Sequence, residues 1–113
     1  MNFQRDEIAE MTALYGDVQT AAEGGSPYFF IVGLSLPEGC NPTKVDALLC
    51  PTPRDGYPSR LFFAEKPTSR SSPNWNGQVR LLERNWFAFS WKIRTSEPLR
   101  LAQMVQAHLR GLR

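Results

Sequence analysis

Trp86-Phe87-Ala88-Phe89-Ser90-Trp91-Lys92-Ile93 is the stretch whose reading decides the fold. Phe87, Phe89, Trp91 and Ile93 share one side of an alternation, and Ala88, Ser90 and Lys92 take the other. A period of two puts successive side chains on opposite faces of an extended chain, so this segment is a strand and not a helix. Working outward, Tyr28-Phe29-Phe30-Ile31-Val32-Gly33-Leu34-Ser35-Leu36 is apolar at every even position, while its odd positions turn polar or small after Ile31. It reads as a strand with one face buried throughout and the other only at its start. Lys44 to Cys50 and Leu61 to Ala64 are further strands, and Val18 to Ala22 is a short opening one. Turn residues separate them at Gly24-Gly25-Ser26-Pro27, at Pro37 to Pro42 and at Pro51 to Gly56.

The two ends of the chain carry the other period. Ile8, Met11, Leu14 and Tyr15 fall at three- and four-residue spacing, Asp6 and Glu7 suit the positive end of a helix dipole, and Gly16 terminates, so Phe3 to Tyr15 is expected to be helical. Near the other end Ser96 is the expected N-cap, with Glu97 and Pro98 in the first turn. Leu101, Met104, Val105, His108 and Leu112 then line one face of a closing helix. Between strands, Glu65 to Asn76 is polar and reads as an irregular segment. The expected fold is α+β: residues 1–113 as one domain, with an antiparallel sheet of about four to five strands between an N-terminal and a C-terminal helix.

Composition narrows the function classes. The 113 residues are 42% hydrophobic and 21% charged, which is ordinary for a soluble globular domain. The longest apolar run, Tyr28 to Leu34, is too short to span a bilayer, and the opening residues do not read as a secretory leader. The chain is therefore expected to be cytoplasmic, with no membrane partner. Two cysteines, Cys40 and Cys50, and a single histidine, His108, match no metal-ligand spacing, so neither a metal nor another cofactor is expected. Net charge is only +2, but acids collect in residues 1–25 and bases in residues 92–113. Such polarity can steer a charged partner; the plainer reading is two solvated helix faces. The aromatics lie in strand-like runs and not beside a basic stripe, which argues against nucleic acid.

One further stretch, Ser72-Pro73-Asn74-Trp75-Asn76-Gly77-Gln78-Val79-Arg80-Leu81-Leu82 followed by Trp86, resembles the core motif of ubiquitin-conjugating enzymes. There His-Pro-Asn-Ile leads through Gly-x-Ile-Cys-Leu to a Trp, and the Cys carries ubiquitin as a thioester. Pro73 and Asn74 match, Ser72 stands for the His, and Gly77, Val79 and Leu81 fall on Gly, Ile and Leu after a short gap. Arg80 then occupies the place of the nucleophile. Tyr57-Pro58 is similar to the dipeptide after that fold's third strand. Leu14-Tyr15-Gly16-Asp17 resembles the start of RWD domains, which share the fold without conjugating. Leu36-Pro37-Glu38-Gly39, Val45-Asp46-x-Leu48-Leu49 and Trp86-x-x-Phe89-Ser90 are similar to patterns of family E of the bacterial ubiquitin-conjugating-like proteins, over roughly residues 28–112.

The resemblance implies a ubiquitin-conjugating-like (UBC/RWD) fold and a part in a bacterial ubiquitin-like conjugation system. Its partners would be a ubiquitin-like protein, the activating enzyme or an active conjugating partner. Conjugation needs a thiolate poised beside an amine, and Arg80 cannot form an acyl intermediate. The expectation is thus an inactive variant that works by protein–protein interaction, with no catalytic residue. An acidic first helix also departs from active enzymes, where that helix is commonly basic. Cys40, in the turn Gly39-Cys40-Asn41-Pro42, is the alternative displaced nucleophile; Cys50 reads as a small buried hydrophobe. A third reading is an RWD-like interaction module with no link to ubiquitin-like proteins. Trp75 and Arg80 are candidate interface residues, Arg80 being alternatively an exposed strand-edge charge. Trp86 is assigned to core packing, and His108 is read as a satisfied core or boundary histidine. A homodimer through the Phe87-Phe89-Trp91 strand is left open.

Overall fold

The structure, a computed structural model, describes residues 5–93, 95 and 98–113. Helix α1 (Arg5–Tyr15) is followed by six strands, β1 (Val18–Glu23), β2 (Ser26–Ser35), β3 (Lys44–Cys50), β4 (Arg60–Phe63), β5 (Trp75–Leu81) and β6 (Arg84–Phe89). Helix α2 (Leu101–Leu109) and a 3-10 turn (Arg110–Leu112) close the order. Among the described residues the strands form one antiparallel sheet in the order β1-β2-β3-β4-β6-β5. The α+β class holds. The sheet has six strands and not four to five, because Trp75–Leu81 pairs with β6 as an edge hairpin. Its alternation of Asn76, Gln78 and Arg80 with Gly77 and Val79 is polar enough to resemble a loop.

Both faces of the sheet are buried. Phe29, Ile31, Val45, Ala47, Leu49, Leu61, Phe63 and Phe89 face the helices and pack with Met11, Leu101, Ala102, Val105, Leu109 and Leu112. Tyr28, Leu48, Cys50, Phe62, Leu81, Trp86 and Ala88 fill the other face, with no helix residue among the described ones in their cluster. Curvature closes that second face. β1 and β6 are four positions apart in the sheet, roughly 19 Å if it were flat. Yet the backbone N–H of Leu82, in the β5–β6 turn, donates to a carboxylate oxygen of Glu23 at 3.0 Å. The rings of Phe30 and Trp86, with two strands between them, meet edge to face at 5.7 Å. The sheet is rolled into a trough filled with its own side chains.

β2 departs from the expected pattern at its second half. Gly33 has φ +61, and the β2–β3 register shifts between Ile31 and Leu34. The inserted residue swaps the faces, so Leu34 joins Phe29 and Ile31 on the helix side while Val32 is left 39% exposed. Asp46 fixes this bulge by accepting from the Gly33 N–H at 2.8 Å, and it pairs with Arg84 at 3.4 Å.

The acidic and basic ends of the chain turn toward each other. Arg100 bonds Asp6 at 3.0 Å and Glu10 at 3.2 Å, and Glu7 accepts from the Leu101 N–H at the first turn of α2. The hydrogen bond from Arg100 holds Asp6 below the usual carboxylate range. The expectation of two solvated helix faces is corrected for these residues: part of the charge polarity is internal complementarity between α1 and α2. Ser96 and Glu97, the expected cap and first turn, lie outside the described residues. Pro98 and Leu99 are not helical, and α2 begins after Arg100, whose N–H donates to the Gln103 side chain at 2.8 Å. Leu14, expected on the buried face of α1, is 58% exposed.

Candidate functional site

The residues of the suspected motif are spread along β5. Ser72, Pro73 and Asn74 form the approach to the strand, and the Asn74 carbonyl accepts from the Ser90 N–H at 2.8 Å, joining the start of β5 to the end of β6. Ser72 sits at φ 49, in the left-handed region. Arg80 stands toward the opposite end of β5, six residues on, a distance of roughly 20 Å in extended chain. Its guanidinium is exposed and bonds Asn85 and the Glu83 carbonyl. Asn74 and Arg80 therefore share no site. Trp75 is half-buried and packs edge to face on Phe63 and Phe89, with ring centroids 5.7 and 5.2 Å away. Trp86 is fully buried, its indole N–H donating to the Leu81 carbonyl.

Neither thiol is presented to solvent. Cys40 is 6% exposed in the helix-side core, with its sulfur 3.8 Å from the Leu112 carbonyl, and burial pushes its pKa up. A thiol in such surroundings stays protonated and inert. Cys50 is 1% exposed on the trough side.

What the fold does bring together is a polar cluster at one end of the trough. Arg54-Asp55-Gly56-Tyr57 is a tight two-residue turn, with Asp55 and Gly56 both at positive φ and Arg54 and Tyr57 exchanging backbone bonds. It aims Tyr57 over Arg60, whose guanidinium lies 4.2 Å from the ring centroid. Arg60 is only 4% exposed. It donates to Asn76 at 2.9 Å and to the Phe89 carbonyl at 3.3 Å, and its ion-pair partner is the largely exposed Asp55 at 3.5 Å. Gly77, a motif match in sequence, has a packing role here: a Cβ on it would lie 3.2 Å from the Arg60 guanidinium. Arg54 reaches from the same turn to the Tyr28 hydroxyl at 2.9 Å and, like Arg60, lies near the Phe62 ring. The two arginines thus close this end of the trough.

Two further groups extend the cluster. The Tyr57 hydroxyl donates to Ser90 at 3.2 Å and accepts from Asn76 at 3.1 Å, bonds that hold its phenol below the usual value with help from nearby Arg60 and Lys92. On the helix side, Ser59 and His108 meet at 3.0 Å, both 4% exposed. Burial, and then the positive charge of Arg60, lower the His108 pKa to about 4. His108 is neutral at neutral pH and too weak a base to activate the Ser59 hydroxyl; the pair satisfies two buried polar groups. Among the described residues no cluster of three or more His, Cys, Asp or Glu could hold a metal, and no helix is long and apolar enough to cross a membrane.

Sequence reasoning found Tyr57 but missed Arg60, Ser59, Asn76 and Ser90. Arg60 did leave a signal, since it shares the face of Phe62 in a strand whose two faces are both apolar. No family model matches the chain, and neither a curated protein nor a solved structure matches it.

Proposed function

We propose that this chain is a non-catalytic, ubiquitin-conjugating-like protein of a bacterial ubiquitin-like conjugation system. It would bind a ubiquitin-like protein, its activating enzyme or an active conjugating partner, and position it while another subunit's thiolate does the chemistry. The sequence match from Ser72 to Trp86 and the helix–sheet–helix order support the class; with Asn74 and Arg80 toward opposite ends of β5, that match is one of sequence and not of an assembled site. The observation that carries the non-catalytic part is the state of the thiols: Cys40 and Cys50, the chain's only cysteines, are both buried, and Arg80 stands where the motif has its nucleophile. The contact surface on this reading is the exposed row Asn76, Gln78 and Arg80 of β5.

The test is intact mass and binding of the purified protein with ATP and the ubiquitin-like protein and activating enzyme encoded beside its gene. The expected result is no reductant-sensitive adduct, together with saturable binding to one of those partners. Arg80→Glu should weaken that binding on the order of tenfold, as reversal of an interface charge does. A reductant-sensitive adduct lost in Cys40→Ser would replace this reading with a conjugating enzyme. Binding to none of the partners would leave an RWD-like module of another system.

A further inference from the structure

The two margins of the sheet are protected very differently. β5 has a register shift between Trp75 and Gly77 and carries the charge of Arg80, two devices that discourage addition of another strand. β1 has neither. It pairs with β2 through six consecutive residues without a shift, and from Val18 to Ala22 it contains no charge and no proline. Gln19, Thr20 and Ala22 are exposed, and none is bulky enough to shield the backbone.

The hydrogen-bonding groups of this margin can be assigned. Gly24 and Gly25, both at positive φ, make a two-residue turn, so Glu23 and Ser26 form its hydrogen-bonded closing pair. Alternation then makes Ala21 with Tyr28 and Gln19 with Phe30 the next such pairs. The N–H and C=O groups of Val18, Thr20 and Ala22 consequently point away from the sheet. Two contacts agree with this count. Ala22 stands opposite Pro27, which has no N–H to donate. The Val32 N–H donates to the Asp17 carbonyl at 2.9 Å, continuing the same alternation beyond Val18.

Charge selects the occupant. Asp17 and Glu23 flank the margin, six residues apart; both are exposed, and Glu23 also accepts the Leu82 N–H at 3.0 Å. A second copy of this chain paired antiparallel about Thr20, with Thr20 opposite Thr20, would bring Glu23 of each copy beside Asp17 of the other, a repulsion at both ends. A strand with basic residues at the matching positions would meet a carboxylate at each end. We propose that β1 is a docking edge for an extended, basic peptide segment of a partner protein, which adds as a seventh strand on the outward groups of Val18, Thr20 and Ala22. Backbone bonds supply the pairing, and Asp17 and Glu23 set the charge preference. The inference rests on β1 alone and holds whether or not the chain serves conjugation.

The test is titration of the 15N-labelled protein with the peptide acetyl-Arg-Thr-Val-Thr-Val-Thr-Arg-amide, followed by amide NMR. Shifts should centre on Val18, Thr20 and Ala22, and replacing both arginines of the peptide by glutamate should weaken binding on the order of tenfold. Thr20→Pro removes the central outward donor and no bond to β2, so it should abolish binding while the circular dichroism spectrum is retained. Asp17→Lys, which leaves every strand pair in place, should weaken binding severalfold and serves if the proline variant does not fold. Shifts centred elsewhere, no binding at millimolar peptide, or an affinity unmoved by Asp17→Lys would overturn the proposal. So would a dimer through β1 in sedimentation equilibrium.

Discussion

On the helix side of the sheet, Phe29, Ala47 and Phe63 lie under Met11, Leu101 and Val105; on the other side, Tyr28, Leu48 and Phe62 are covered, among the described residues, by Trp86, Leu81 and the roll of the sheet itself. The helix side is fastened by polar groups: His108 to Ser59, Glu7 to the first turn of α2, and Arg100 to Asp6 and Glu10. The trough side relies on large side chains, with arginines over aromatic rings at its ends. Arg54 and Arg60 lie near Phe62 at one end, and Arg84 lies 4.9 Å from Trp86 and 5.6 Å from Phe30 at the other. One face should thus respond to protonation and the other to lost volume.

The largest effect should come from emptying the trough. Trp86→Ala removes the largest fully buried side chain, its contact with Phe30 and the ring under Arg84. It should cost about 3–5 kcal/mol, the range for deleting a buried aromatic. Urea unfolding at pH 7 would measure it; a loss below about 1 kcal/mol would mean the trough is not packed as described.

Acid should act on the opposite face. The His108 pKa falls from its ordinary 6.5 to about 4 in the fold, because burial and then Arg60 disfavour the cation. The unfolded chain therefore binds a proton that the folded chain refuses between those values. Stability is fully present above pH 6.5, declines as pH falls, and has lost roughly 3 kcal/mol from this group by pH 4. His108→Gln should flatten that part of the profile while keeping a partner for Ser59. Unfolding curves of the two proteins at pH 7 and pH 4.5 decide it, and parallel losses would remove His108 as the cause.

The smallest effect lies in the two turns that bound the trough. Gly24-Gly25 and Leu82-Glu83 have the same backbone handedness, with φ values of 60 and 81 in the first and 52 and 62 in the second. The left-handed region favours glycine, so Glu83→Gly should stabilise the protein by about 1 kcal/mol and Gly25→Ala should destabilise it by a similar amount. Thermal unfolding of the pair would show opposite shifts.

That pair of turns also marks how far the fold was legible. Gly24-Gly25 announces a hairpin, and β3 lies at its expected bounds, because both rest on local preference. Leu82-Glu83 announces nothing: neither residue favours positive φ, and the turn is held by Glu23, distant in sequence. β5 was hidden at its start for the same reason, since Trp75 and Asn76 fall in the polar stretch that reads as irregular until β6 pairs with it; Arg80 does stand as an exposed charge on the edge strand, one of its two expected readings. The bulge at Gly33 defeated the alternation rule in β2, because an inserted residue swaps the faces without changing composition.

By itself the sequence determined the α+β class, the two terminal helices, the antiparallel strands from β1 to β4, and the burial of Trp86, Cys50 and His108; of the strand expected over Trp86 to Ile93 only the part up to Phe89 is one, and Ser90 to Ile93 lie beyond its end. These follow from periodicity and side-chain chemistry, which act between near neighbours. Only the tertiary structure decided that the sheet rolls into a trough, that opposite charges at the two chain ends meet, that Cys40 is enclosed, and that Arg60 is buried against Asn76 and the Phe89 carbonyl. Each depends on contacts between residues far apart in the chain, and no local pattern records which of them will meet.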